Sequence, residues 1–144
     1  MLMVFLVIGI TMQLLAQSLN DQAQILQKCI DLKDLQNYFP LDTKGDMKQL
    51  NIIQYPLSFS SQISLSKAGN NVKFLSMPEL SKNKVEAYFM FRSLQINNNV
   101  ATANFSYFYN CIGDNFKMLS VIVELEKSGS NWNVINFNLK GNTL

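Results

Sequence analysis

The sequence predicts an α+β domain, with an N-terminal helix packed on a curved antiparallel sheet that forms a meander of about four strands plus an additional edge strand. Two observations carry this expectation. After Asp21, the run QAQILQKCIDLKDLQNYF places Ile25, Leu26, Cys29, Ile30, Leu32, Leu35 and Phe39 at helical spacing, so one face is apolar. From Lys84 onward, the runs VEAYFMFRSLQI, VATANFSYFYN, KMLSVIVELEK and NWNVINFNL read as strands separated by NNN, CIGDNF and SGS. Short strands joined by tight turns form an antiparallel meander.

Asp21 is placed to cap the helix, and Gln24 three residues on completes a capping-box-like pair. Pro40 ends the helix, and a second helix start at Asp31 is an alternative. Residues 41–80 carry weaker signals: LDTKGDMKQL is loop-like or a short helix, and LNIIQYPLSF reads as an edge strand broken at Pro56. Turn length sets strand register. A three-residue turn at Ser128-Gly129-Ser130 pairs Lys127 with Asn131, Val123 with Ile135 and Val121 with Phe137, an apolar ladder expected to lie under the helix. A two-residue turn mixes apolar and polar residues on both faces, which disfavours it. In this register Trp132, the only tryptophan, falls on the more polar face with Val134. A three-residue turn at Asn97–Asn99 likewise pairs Phe91 with Phe105 and Phe89 with Tyr107 on the core face. Tyr88, Met90 and Phe108 then lie on the second face, so that Trp132, Val134, Tyr88, Met90 and Phe108 form a candidate recognition face. The competing reading, which the ordinary abundance of apolar surface favours, folds residues 50–80 over that face as a second small core.

The first sixteen residues, MLMVFLVIGITMQLLA, carry no charged side chain and are too short to span a bilayer comfortably, for which about 20 apolar residues are needed. They read as a signal peptide cleaved after Ala16, which leaves 17–144 as a single domain working in the periplasm or outside the cell. The alternative is an uncleaved N-terminal anchor. An oxidising compartment permits a disulfide between Cys29 and Cys111, although two cysteines alone do not make a disulfide framework and each also suits a buried apolar site.

The chain has 144 residues, 48% hydrophobic, and a net charge of +2 with no run of like charge. That distribution argues against nucleic acid, and against a membrane beyond the export signal, as partners. Histidine is absent altogether. Its absence removes Ser-His-Asp and Cys-His catalysis, imidazole-ligated zinc and the usual general base near neutral pH. Two isolated cysteines cannot build a Cys-rich zinc site, and no glycine-rich phosphate loop occurs, so no cofactor or metal is expected. Glu124 and Glu126 share a strand face as a carboxylate pair, but a solvated face beside a turn explains them better. Asp42 and Asp46 flank Gly45 without the ligand density of a calcium loop, which favours an ordinary turn. Asn104-Phe105-Ser106 matches a glycosylation acceptor but sits inside a predicted strand.

The final hairpin, with Leu125, Lys127, Gly129, Trp132 and Val134 in the form L-x-K-x-G-x-x-W-x-V, together with the alternating strand Ala101 to Phe105, resembles small NTF2-like or cystatin-like domains. The resemblance covers roughly the last 60 residues. It implies a helical part lying in the concave face of a strongly curved sheet. Catalytic NTF2-like proteins rely on Asp and His in a cone-shaped pocket, and no such site carries over to a chain without histidine. The expected function is therefore an exported, non-enzymatic binding module for a protein or small ligand, with a homodimer as a further partner state. An alternative is a protein inhibitor or periplasmic immunity-type module presenting Ile112-Gly113-Asp114 or Asn97–Asn99 to a target. A histidine-free hydrolase or isomerase of NTF2-like type, using Glu124, Glu126 or Asp114, ranks last.

Overall fold

A computed structural model describes residues 18–142. The signal-peptide expectation for residues 1–16 and the cleavage after Ala16 lie outside them. Helix α1 (18–30) is followed by a break at Asp31–Leu32 and a 3-10 helix, Lys33–Tyr38. The strands are β1 (Asn51–Ile53), β2 (Ser66–Lys67), β3 (Asn70–Asn71), β4 (Lys73–Leu75), β5 (Tyr88–Asn97), β6 (Val100–Ile112), β7 (Asn115–Ser128) and β8 (Asn131–Asn142). Helix α2 (Met77–Lys82) lies between β4 and β5, and a Ser76–Glu79 capping box starts it.

The class is α+β, and the sheet is mostly antiparallel with six strands in the order β4-β1-β5-β6-β7-β8. The four-strand meander of β5 to β8 is extended by β1 and β4, and β1 runs parallel to both β4 and β5. The expected edge strand is therefore an interior one. It stops at Ile53, ahead of the cis Tyr55–Pro56 peptide, so proline interrupts no ladder.

Alternation along the strands separates two faces. One row crosses the sheet as Phe74, Ile52, Phe89, Tyr107, Leu119 and Gly141; the adjacent row on the other face runs Leu75, Ile53, Met90, Ser106, Ser120 and Lys140. The first face carries the main core. Ile25, Leu26, Cys29 and Ile30 of α1 pack with Phe89, Phe91, Phe105, Tyr107, Val121 and Val123. Phe39, just after the 3-10 helix, meets Phe89 and Tyr107 edge-on at 5.9 and 5.4 Å. Residues 60–72 close over this same side: Ile63, Leu65 and Val72 join the core, and the Gln27 side chain bonds both the carbonyl and the N–H of Ser66 at 2.9 and 3.3 Å. On the second face Ile53, Leu75 and Phe108 are buried while Tyr88 and Met90 stay half-buried. A smaller apolar layer thus exists there, built from the strands themselves; residues 60–72, which the competing reading placed over it, close the opposite face.

The β7–β8 register corrects the expectation. The turn has two residues, so Ser128 pairs with Asn131 and Lys127 with Trp132. A bulge follows between Glu124 and Leu125, beyond which Val123 pairs with Phe137 and Val121 with Leu139. The extra residue, Ile135, changes the phase of β8 and removes the mixing of faces that argued against the shorter turn. Trp132 is consequently on the helix side and fully buried, with Val134 half-buried beside it. Its indole Nε1–H donates to Asp21 at 3.0 Å, and the Lys127 ammonium donates to the same carboxylate oxygen at 2.9 Å while lying 5.8 Å from the indole centre. Gln24 accepts from the Trp132 N–H at 3.2 Å and donates to the Ser130 carbonyl at 3.0 Å. Asp21 and Gln24 lie within the helical residues and do not cap α1; their side chains fasten the hairpin tip to it. Val121 and Val123 are buried as expected, whereas Ile135 is 57% and Phe137 39% exposed.

Candidate functional site

At the end of the sheet where β6 turns into β7, local backbone irregularity opens two clefts. Lys84, in the connection between α2 and β5, has φ +47°, and the β6–β7 register shifts between Tyr109 and Ile112, where Asn110 has φ +50°. The Cys111 N–H donates to the Glu86 carbonyl at 2.9 Å, which holds the displaced backbone against the start of β5. Gly113, φ +59°, then closes the two-residue turn to Asn115, a conformation that glycine adopts without strain.

Glu86, Cys111 and Ile112 form the wall shared by both clefts. The cleft on one side, about 460 Å³, is lined by Tyr38, Phe39, Leu41, Ala87 and Tyr109. The 3-10 helix holds this side in place: Tyr38 meets Tyr109 edge-on at 5.2 Å, and the Tyr107 hydroxyl donates to the Tyr38 carbonyl at 3.3 Å. The other cleft, about 680 Å³, runs between α2 and β7 and is lined by Leu80, Val85, Tyr88, Gly113 and Phe116. Its two lining rings are joined behind the wall by buried Phe108, with Tyr88 stacked on Phe108 at 4.8 Å and Phe108 edge-on to Phe116 at 5.4 Å. Ile112 is 75% exposed, and Leu41 and Phe116 are also exposed. Ile112 and Phe116 thus flank the β6–β7 turn as exposed apolar side chains, with Leu41 exposed in the lining of the first cleft.

The chemistry around these clefts favours neutral groups. Burial pushes the Cys111 thiol up, which keeps it protonated near neutral pH and a poor nucleophile. Burial, and then the neighbouring Cys111, also raises the Tyr88 hydroxyl; the same two causes, followed by Tyr109, raise Tyr107 further. Glu86 is engaged by Lys48 at 3.1 Å. Cys29 is raised by full burial in the core. In each thiol and phenol the folded state holds its proton more tightly than the unfolded chain does. Stability should therefore be level through neutral pH and fall as pH rises past the ordinary thiol value of 9.0. Denaturant melts between neutral and alkaline pH test this, and Tyr107→Phe should flatten the decline. A stability that rises above that pH would contradict it.

The candidate recognition face separates into two parts. Tyr88, Met90 and Phe108 share the second face, as expected, and Tyr88 lines a cleft, but Trp132 and Val134 belong to the opposite side of the sheet. Cys29 and Cys111 are both free thiols, Cys29 in the α1 core and Cys111 in the cleft wall, which accords with the reading of two separate cysteines over the bridge. Glu124, Glu126 and Asp114 are all exposed. Asp42 accepts from the N–H groups of Lys44 and Asp46 at 2.8 and 2.9 Å, which makes the DTKGD segment a side-chain-stabilised turn. Among the described residues, no cluster of His, Cys, Asp and Glu has the grouping a metal ion needs, and no helix is long and apolar enough to cross a membrane. Ser106 is fully buried and its hydroxyl accepts from Arg92 Nε at 3.1 Å, in keeping with the strand position of the Asn104–Ser106 sequence. Sequence reasoning named Ile112-Gly113-Asp114 but missed Tyr38, Leu41, Leu80 and Phe116. The apolar pair Ile112 and Phe116 flanking a polar Gly-Asp turn was the available signal. The chain matches no protein-family model, no curated protein and no solved structure.

Proposed function

We propose that this chain is an exported, non-enzymatic recognition module that binds a protein through the β6–β7 turn and its two flanking clefts. The 75% exposure of Ile112 between two apolar clefts is the observation that carries the reading. An aliphatic side chain so placed loses water on contact with a partner, at about 25 cal/mol per Å² buried. The clefts beside it offer aromatic walls to the partner's own side chains. The missing histidine and the protonated Cys111 support binding over catalysis. Export is supported by the uncharged apolar character of residues 1–16. An NTF2-like or cystatin-like shape belongs to the same proposal, supported by α1 lying on one face of an antiparallel meander. The inhibitor or immunity-type variant of the reading is favoured at Ile112-Gly113-Asp114, where the clefts are, over the turn at Asn98-Asn99.

Site-specific photocrosslinking in the native host tests the proposal. A photoreactive side chain in place of Ile112 should yield one dominant protein adduct, and Phe116→Ser should abolish it. The same group in place of Val100, exposed at the other end of β6, should yield none. Equal adducts from both positions, or none from Ile112, would overturn the assignment.

A further inference from the structure

The two edges of the sheet are unlike. β4 is three residues long and leads directly into α2, the short form in which natural sheets blunt an edge. β8 is twelve residues long, has no proline and a single charged residue, Lys140, and no described strand pairs with its outer edge. The bulge at Ile135 leaves Asn136 to Asn142 as a regular run, with its outward N–H and C=O groups aligned for another strand.

The side chains of that run are self-complementary. Phe137 and Leu139 share the face of Val123 and Val121, the side that α1 covers over β7, yet Phe137 remains 39% exposed. Leu139 opens onto a groove of about 680 Å³ whose far wall is the 3-10 helix, with Lys33, Asp34, Gln36 and Tyr38. An exposed ring and a groove beside an apolar side chain thus stand two residues apart on one face of one free edge. On the opposite face Lys140 and Asn136 lie four residues apart, and Asn136 pairs with the exposed Glu124.

We propose that the β8 edge is a self-association surface, on which a second copy of this chain pairs antiparallel about a two-fold axis at Asn138. Phe137 of each copy then lies opposite Leu139 of the other and enters its groove, so each contact is made twice, as an isologous interface requires. Lys140 of each copy lies opposite Asn136 of the other, on the row that leads to Glu124, which gives charge complementarity across the seam. Asn138 faces its own counterpart. Moving the axis to Phe137 would set Leu139 against Ile135, where the bulge breaks the ladder, and would leave the groove unfilled. The surface is separate from Ile112 and the cleft between α2 and β7 and meets the other cleft only at Asn37 and Tyr38, so cross-linking at Asn138 tests it without reading the proposed function.

Light scattering and sedimentation of the full chain should show two copies per particle at high concentration. Phe137→Lys should raise the dimer Kd roughly tenfold or more, with the circular dichroism spectrum of the dilute protein unchanged and its melting only slightly lowered. In a Cys111→Ser background, Asn138→Cys should cross-link rapidly under mild oxidation, because directly opposed Cβ atoms lie about 4.5–5.5 Å apart. Asn133→Cys, on the other side of the bulge, should not. If Phe137→Lys fails to fold, the cysteine pair decides alone. A single copy at every concentration, or equal cross-linking from both cysteine positions, overturns the proposal, and the second result would also exclude the stated register.

Discussion

Replacing Trp132 with alanine is expected to destabilise the fold by about 3–5 kcal/mol, the range for removing a fully enclosed aromatic side chain and leaving a cavity. Three further losses act in the same direction. The Asp21 carboxylate loses the indole N–H, the Lys127 ammonium loses the ring beneath it, and the hairpin tip keeps only its backbone and lysine ties to α1. Phe137→Ala, at a ring already 39% exposed, should cost only about 1–2 kcal/mol in dilute protein. Denaturant melts of the two variants make the comparison, alongside tryptophan emission of the wild type, which should be blue-shifted because the single indole is enclosed. Emission typical of a solvated indole, with a Trp132→Ala loss no larger than that for Phe137→Ala, would mean that the hairpin tip does not dock on α1.

This ordering reverses what the three-residue turn implied, and the reason was present in the sequence. Along β8 the core-side residues are the even-numbered Trp132 and Val134, then the odd-numbered Phe137 and Leu139. A change of phase in a two-residue period requires one extra residue, which is a bulge. β5 shows the same change, from Phe89 and Phe91 to Leu94 and Ile96, with the register shift between Phe91 and Ser93. There a turn read as one residue too long was offset by the bulge, so the pairs of Phe89 with Tyr107 and Phe91 with Phe105 stand as expected. In β8 no such offset operates, because the bulge and the shorter turn move the register in the same sense. Other features left no periodic trace. β1, β4 and the β2–β3 hairpin are two or three residues per strand, too short for alternation to show, and their pairing is set by tertiary contacts such as Gln27 with Ser66. Asp21 and Gln24 fit a capping pattern by local spacing, but their partners lie more than a hundred residues away. The clefts likewise depend on Asn110 and Lys84 taking positive φ; asparagine tolerates that conformation without requiring it, and lysine gives no sign of it.

Phe89→Ala is expected to have a comparably large effect, about 3–5 kcal/mol, and to reach the clefts as well as the core. Phe89 is fully buried at the centre of the sheet, with Phe39, Phe91, Phe105 and Tyr107 at ring-centre distances of 5.9, 6.5, 5.8 and 4.7 Å. Close-packed neighbours of this kind relax only partly into the space left by a lost ring, so both transfer and cavity contributions are felt. Phe39 is the neighbour with most freedom to move, because it belongs to a short connecting segment and not to the ladder. It also lines the cleft beside Ile112, and Tyr38 next to it accepts the Tyr107 hydroxyl. Collapse of Phe39 toward the vacated site should therefore shift the 38–41 segment and alter that cleft in molecules that remain folded. Two measurements separate these effects: a denaturant melt gives the global loss, and native-state hydrogen exchange reads the Phe39 amide, bonded to the Gln36 carbonyl at 3.4 Å. Faster exchange at Phe39, with protection at Val121 and Val123 reduced only by the global loss, is the expected pattern. A loss below about 1 kcal/mol would be far too small for a fully enclosed ring, and would show that the aromatic cluster does not anchor the 3-10 segment.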